Sequence, residues 1–464
     1  MTVDYRTSTA SRSPRLTPTT THDLRETLKL AVPLIIAQLS SMGMNVVDSL
    51  IAGRLGAAPL GGVAVGAAVY SFALLVCIGI LGAVTPTVAQ LYGARRFDEI
   101  APRMRQAWWI ALGLGLIVMA ICWSGSLLPK AIGVDPKLYP HARDFLFGVG
   151  FGGPALAGFF ALRGYCDGMG RTKPGMVAAF SGLLALIPLA VAFAFGWGPL
   201  PRMGTFGLGL ATALSLWLQV IGLALYVAHA EYFNRYGSVF AIDRPQREPI
   251  AALLKLGLPM AFAWQMEVGL FIVVALLMGR IGGDWAAAHQ IAINVASLAF
   301  MIPLGLSQAV TVRVGHARGA EDRAGVRRAA VSGLTLAFGT QLVSATVMFV
   351  FAAQITLLYA PAAPELIPLV VQLMFLAGIF QMSDGIQVVA AGALRGLKDT
   401  TVPMFVTAFA YWGVGFPLAW YLGFATGLGG PGLWIGFIAG LTVAAVLLNW
   451  RFAVLSGRTV MPKM

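Results

Sequence analysis

Three carboxylates stand where an ionised group is costly. Asp48 lies in NVVDSLIA, Glu267 in WQMEVGLF and Asp384 in QMSDGIQV, each within an apolar run. A charge at the centre of a bilayer costs at least about 2.5–3.5 kcal/mol. Such a residue is retained where it meets a proton, a metal cation or a cationic ligand. The bland alternative is a protonated carboxylic acid packed into the protein. Of the 19 Asp and Glu, only these three fall well inside the long apolar runs. Asp144 and Glu365 fall at run ends and Asp167 in a basic loop, where solvent or a helix terminus accounts for them. No Lys or Arg is evident at matching depth, so the counter-charge is expected to come from outside the chain.

Polar residues accompany the acids at helical spacing. Gln38, Ser41, Asn45 and Asp48 follow at i, i+3, i+7 and i+10, which is one helix face. Gln290, Asn294 and Ser297 form a second stripe, Gln381, Asp384 and Gln387 a third, and Thr212, Ser215 and Gln219 a fourth. Stripes without a carboxylate read equally well as hydrogen bonds between packed helices. Those holding Asp48 and Asp384 are expected to face a wet cavity. Met42, Met44, Met266 and Met382 near the acids would suit varied apolar ligands, and ordinary core packing explains them as well. The 5 His show no metal-ligand spacing. His289 beside Gln290 reads as a satisfied polar residue rather than a proton relay. Cys77, Cys122 and Cys166 indicate no disulfide or metal framework. No nucleophile–base or metal motif points to an enzyme.

The elements that carry these residues are long. The 464-residue chain is 58% hydrophobic and 11% charged, against about 25% charge in soluble domains. Twelve apolar runs approach the roughly 20 residues that cross a bilayer: 28–52, 60–81, 106–128, 142–162, 175–195, 205–229, 253–279, 286–312, 329–353, 365–394, 402–424 and 432–455. The second runs on as helix towards Tyr92. An even number puts both termini on one side. With that side cytoplasmic, 26 of the 32 Lys and Arg fall inside, the bias that orients membrane proteins. The net charge of +13 is therefore read as loop charge, with no nucleic-acid partner. The expected location is a bacterial inner membrane.

The chain also repeats. Pro33 and Pro259 are 259 − 33 = 226 residues apart, and the same offset pairs Gly53 with Gly279, Arg54 with Arg280, Thr85 with Thr311 and Gly93 with Gly319. Further on, Ala161-Leu162-Arg163-Gly164 matches Ala393-Leu394-Arg395-Gly396. The expected fold is an all-α integral membrane protein of twelve helices in two parallel six-helix repeats with a cavity between them. The expected divisions are a disordered tail over 1–24, lobes over 25–229 and 250–456, a linker over 230–249 and a tail over 457–464. The acids are not duplicated: Asp48 corresponds to Val274, Glu267 to Ser41 and Asp384 to Gly152. The two halves should therefore treat cations differently. Pro33 and Pro259 break the first and seventh helices at equivalent points.

The stretches MGMNVVDSLIAG, LGLPMAFAWQMEVGLF, AAAHQIAINVASLAFMIP and QMSDGIQVVAAGALRGLKD resemble the multidrug and toxic compound extrusion (MATE) transporters, in particular the NorM-like branch. PTVAQLYGARR and VRVGHARGAED resemble loops of the same family. The resemblance implies an antiporter that exports drugs in exchange for Na⁺ or H⁺. It implies a cation site at Glu267 and Asp384, with Asp48 as the acid of the first lobe. Gln38, Asn45, Gln290, Asn294, Phe380 and Gln381 are the expected substrate contacts. Partners would be small organic cations and the bilayer, with the chain acting as a monomer without a cofactor. Three positions depart from the family pattern: Phe380 where a Tyr is usual, and Leu186 and Ala190 where Asn is usual. These departures shift the weight to Glu267 and Asp384. A rival reading is a lipid-linked oligosaccharide flippase of similar fold, which would need cationic residues in its cavity. A passive channel would not support uphill accumulation.

Overall fold

The computed structural model describes residues 20–125, 135–197, 201–361 and 363–457. The remaining parts of both expected tails lie outside the described residues. All regular structure among the described residues is helical. The spans are α1 Thr20–Leu55, α2 Ala57–Gly93, α3 Ile100–Gly125, α4 Tyr139–Gly150 plus Gly153–Gly168, α5 Lys173–Phe195 and α6 Gly204–His229. The second set is α7 Arg247–Ile281, α8 Gly283–Gly319, α9 Arg323–Tyr359, α10 Ile367–Gly396, α11 Thr401–Ala425 and α12 Gly430–Gly457. Eleven are long and apolar enough to cross a membrane, or twelve if the two pieces of α4, bent by 49°, form one span. Only helices satisfy every backbone group within the segment, which lipid requires.

Several helices depart from a simple apolar rod. α1 begins at Thr20, inside the stretch expected to be tail, because Asp23 and Thr27 find partners on α8 and α9. α4 runs one turn past its apolar residues to Gly168, so Asp167 is helical and buried rather than in a solvated loop. α11 contains two π-helical stretches, Phe409–Gly415 and Tyr421–Ala425, a feature that recurs at functional positions. Pro33 and Pro259 lie inside continuous helices.

One apolar core belongs to the first half and is built from α1 to α6, with Phe145, Leu162 and Leu186 in it. A second, around Trp434, Phe437 and Phe380, fills the far part of the second half. The third crosses between halves: Ala31 and Leu34 of α1 pack with Val310, Val326 and Leu394. Reciprocally, Leu253 and Ala261 of α7 join the first core. Each half therefore lends the start of its first helix to the other.

These crossings close one end of the molecule, the arginine-rich base. A Cβ at Gly79 would overlap the backbone of Ala261, and one at Gly93 would overlap the carbonyl of His316. Only glycine allows α2 to approach α7 and α8 this closely. Higher up, α1 and α8 cross where Gly305 meets Ile35. Beyond that crossing they part, and Ser41, Asn45, Gln290 and Leu298 are exposed. Ser41 and Asn45 share the face of Gln38, which is held by Arg163, and Arg163 in turn reaches Gln308 of the other half. The halves thus enclose a cleft that is shut at the base and open at the opposite end.

Candidate cation and substrate site

The second half brings two of the three acids together. Glu267 lies eight residues past Pro259 on α7, and Asp384 stands on α10. Glu267 lines a cavity between α7, α10 and α11 with Trp264, Gln387, Arg395 and Thr407. About 50 Å³ of this cavity is open to water centres, room for several waters. Asp384 is 2% exposed, and Glu267 is its dominant charged neighbour. Asp384 Oδ1, Gln387 Oε1 and the Tyr411 hydroxyl are buried without a hydrogen-bond partner among the described residues. Tyr411 is within electrostatic reach of both acids. Leaving such atoms unmatched costs about 1–3 kcal/mol each. Their convergence beside a small wet cavity fits protons or a hard monovalent cation, which oxygen ligands suit. No group of three His, Cys, Asp or Glu that could hold a metal occurs among the described residues.

The expectation that no basic residue reaches the acids is corrected. Arg395 shares the Glu267 cavity, and its Nη2 donates to Ser307 Oγ at 2.6 Å. Side chains on a helix lean towards its N-terminus. An Arg at the end of α10 therefore reaches back into the membrane layer. Its repeat counterpart does the same: Arg163 approaches Asp167 at 3.4 Å and donates to Gln38 and Gln308 at 3.2 and 3.1 Å. Arg163 and Arg395 line one pocket at the floor of the cleft. The matching Ala-Leu-Arg-Gly motifs were the signal for this pair, and their position at run ends concealed it.

Asp48 is isolated from the other two. It is buried against α6, where the Thr212 hydroxyl lies 3.0 and 3.1 Å from its carboxylate oxygens. Leu186 and Ala190 are fully buried and offer no amide. The expectation that the Asp48 and Asp384 stripes face the wet cleft is therefore corrected: both carboxylates point into helix packing within their halves. The fourth stripe is packing too, with Ser215 donating to the Gly182 carbonyl at 2.6 Å.

The expected substrate residues separate into three groups. Asn45 and Gln290 are exposed, and Gln290 donates to the partly buried Asn294 at 3.3 Å. Gln38 is held by Arg163. Phe380 and Gln381 are corrected: neither reaches the cleft. Phe380 packs among Phe271, Trp434 and Phe437, and Gln381 is tied to Gln341 and to the Ala296 carbonyl. Three and four residues before Asp384, both lie on its side of α10, and neighbouring helices cover that side at their level. His289 accepts a hydrogen bond from Trp434 at 3.2 Å. Sequence reasoning missed Trp412, whose indole donates to the Met266 carbonyl beside Glu267, and Gln265, which reaches across to the Phe72 carbonyl at 2.9 Å.

A duplicated helical membrane protein with buried acids beside an inter-lobe cleft is the class that this architecture defines. The MatE family model matches residues 33–192 and again 259–421, two copies offset by the 226 residues that separate Pro33 from Pro259. The chain belongs to the MatE family. It is 44% identical over 446 residues to the "Probable multidrug resistance protein NorM" of Xanthomonas campestris, covering 96% of this chain and 97% of that one. It is 40% identical over 437 residues to the "Multidrug resistance protein MdtK" of Yersinia pestis, covering 92% and 95%. Among solved structures, the eukaryotic MATE transporter AtDTX14 superposes with a TM-score of 0.85 at 21% identity, covering 94% of this chain and 96% of that one. A MATE structure in the "straight conformation" gives 0.85 at 19% identity, covering 94% and 97%. These last likenesses concern the fold alone.

Proposed function

We propose that this protein is a secondary active multidrug efflux transporter of a bacterial inner membrane, exporting amphipathic organic cations in exchange for Na⁺ or H⁺. The two lobes, 25–229 and 250–456, move against each other about the linker 230–249. The observation that carries this reading is the Glu267–Asp384 pair, in which Glu267 is partly buried on a cavity wall and Asp384 is buried with Oδ1 unmatched. The multidrug names of the NorM and MdtK relatives supply the substrate class.

The Lys and Arg bias makes the base cytoplasmic, so the cleft opens outward. Two close carboxylates do not both stay ionised cheaply; they share protons or recruit a cation. A cation entering from outside would satisfy Asp384 Oδ1 and the Gln387 and Tyr411 oxygens. Arg395 supplies a resident positive charge that orients Glu267 when the cation is gone. Coupling requires only that cation and drug differ in affinity for the two lobe arrangements. One charge moving inward across 100 mV supplies about 2.3 kcal/mol. Asn45 and Gln290 on the exposed walls would meet the drug. Asp48, held by a single hydroxyl, is the weaker candidate for a second cation site.

The test is ethidium efflux from proteoliposomes under separately imposed Na⁺ and pH gradients. Wild-type protein should export uphill with at least one gradient. Glu267→Gln and Asp384→Asn should abolish that coupling; uphill export by the double variant would sink the proposal. One observation favours a second reading: Arg163 and Arg395 put cationic groups on the cleft floor, as a flippase for lipid-linked phosphates would need. Both are already engaged, with Asp167, Gln38, Gln308, Ser307 and the Glu267 cavity, which weighs against it.

A further inference from the structure

Arg163 stands on α4 at the floor of the cleft and is 4% exposed. Its Nε faces Asp167 Oδ2 at 3.4 Å, one turn further along the same helix. Held in that way, its Nη2 donates to Gln38 Oε1 of α1 at 3.2 Å and to Gln308 Oε1 of α8 at 3.1 Å. A guanidinium has donors and no acceptor. Both glutamines must therefore turn their carbonyl oxygens towards Arg163, and each amide nitrogen points away from it. Both side chains are half-buried, and neither Nε2 has an acceptor among the described residues. Arg163, Gln308 and Arg395 line one floor cavity, about 90 Å³ of which is open to water centres. That is room for several waters, or for the polar tip of a ligand standing in the cleft. Asp167 belongs to the same lining, but one oxygen faces Arg163 and the other is buried away from solvent.

The repeat explains why only one arginine does this. The 226-residue offset pairs Gln38 with Trp264 and Gln308 with Gly82, and both counterparts line the same cavity. Neither tryptophan nor glycine has a side-chain carbonyl. Arg395 therefore finds no amide to orient at the equivalent places. It donates to Ser307 and shares the Glu267 cavity instead. The two arginines of the duplicated Ala-Leu-Arg-Gly motif have divided the work, one facing the floor of the cleft and one facing the acid.

We infer that Arg163 is a positioning residue for the cargo. By holding the oxygens of Gln38 and Gln308, it makes the cleft floor a surface of N–H donors. The cargo favoured there is an organic cation that also carries an acceptor oxygen, such as an ester or ketone carbonyl. A cation of equal charge without such an oxygen leaves those donors unmatched when it displaces their water, which costs affinity. The positive floor also sets the orientation of the cargo, with its oxygen towards Arg163 and its charged end up the cleft. Gln38 comes from one half and Gln308 from the other, so the donor pair is complete only while α1 and α8 cross. This inference rests on the export reading and adds to it the feature of the cargo that the floor selects.

The experiment measures binding of two monocations to the purified full-length protein. Rhodamine 6G carries an ester carbonyl; tetraphenylphosphonium has no hydrogen-bonding group. Gln38→Glu and Gln308→Glu each leave an oxygen for Arg163 and replace the amide nitrogen by a second oxygen. The added negative charge acts on both probes, so the ratio of their affinities isolates the lost donor. The ratio of rhodamine 6G to tetraphenylphosphonium affinity should fall roughly three- to tenfold in each variant. Arg163→Met combined with Asp167→Leu removes both charges of the pair and lets the amides turn. The ratio should fall again although both glutamines are intact, seen in efflux as a raised KM for rhodamine 6G and not for tetraphenylphosphonium. Arg163→Lys, whose ammonium can still donate to both oxygens, should keep the wild-type ratio. An unchanged ratio in both glutamine variants, or an equal loss for both probes in the Met–Leu variant, overturns the inference. The glutamine variants decide the matter if the Met–Leu variant does not fold, since they leave the Arg163–Asp167 pair in place. Wild-type protein that bound neither probe, or exported neither uphill, would count against the export reading instead.

Discussion

Replacing Asp23 by Asn removes the charge that fastens the start of α1 to the second half. Arg313 of α8 donates to Asp23 Oδ1 at 2.5 Å, to the Asp23 carbonyl at 2.9 Å and to Ser332 of α9 at 3.0 Å. Arg328 of α9 adds a contact to the other oxygen at 3.5 Å. The side chains of Asp23 and Arg313 are 9% and 16% exposed, so the pair is shielded but not dry. A hydrogen bond to a charged group contributes about 1.5–3 kcal/mol. Partial exposure and the surviving Thr27 and Ser332 contacts favour the lower part of that range, about 2 kcal/mol. If α1 leaves the second half when the base opens, that loss multiplies the open-to-closed ratio by roughly 30. A base-open fraction of about 1% would become roughly a quarter. Spin labels at the exposed positions Arg25 and Arg323 would report this by electron–electron distance measurement. Cys77, Cys122 and Cys166 are buried, which spares them from labelling. A long-distance population should appear in Asp23→Asn, and a double-mutant cycle with Arg313→Gln should be non-additive. Superimposable distributions for wild type and variant, or strict additivity, would refute the latch.

Phe380→Ala should destabilise the protein by about 3–5 kcal/mol, since it opens a cavity in a full aromatic core, while leaving the relative efflux of different drugs unchanged. A normal melting profile with altered drug preference would show that Phe380 meets substrate after all. Asn45→Ala and Gln290→Ala should do the reverse: stability within about 0.5 kcal/mol of wild type, with shifted drug preference in competition efflux assays. Gly93→Ala should push α2 away from the His316 carbonyl at a cost of about 1–3 kcal/mol, seen as a wider base in the same labelled pair; an unchanged base would contradict the close packing argued for it.

Much of this protein was legible in the order of its residues. Apolar run length dictates helices in lipid because no other open structure satisfies the backbone there, and the 226-residue offset from Pro33 to Pro259 declares the duplication. The rarity of acids in those runs singles out Asp48, Glu267 and Asp384 before any fold is known. What spacing along one helix cannot specify is which other helix a face will meet. Gln38 and Asn45 share a stripe, yet one is clasped by Arg163 and the other is exposed, because α1 crosses α8 at Ile35, one turn from Gln38 and nearly three from Asn45. Gln381 belongs to the Asp384 stripe and Phe380 adjoins it, and only the packing of α8, α9 and α12 around α10 keeps both out of the cleft. Arg395 looks like a loop charge until the lean of side chains towards the helix start carries it beside Glu267. Composition and periodicity determined that acids are buried in a duplicated helical membrane protein. Tertiary packing alone decided that Glu267 shares a cavity with an arginine and neighbours Asp384 while Asp48 stands apart, because partners distant in sequence are brought together only by the crossing of helices.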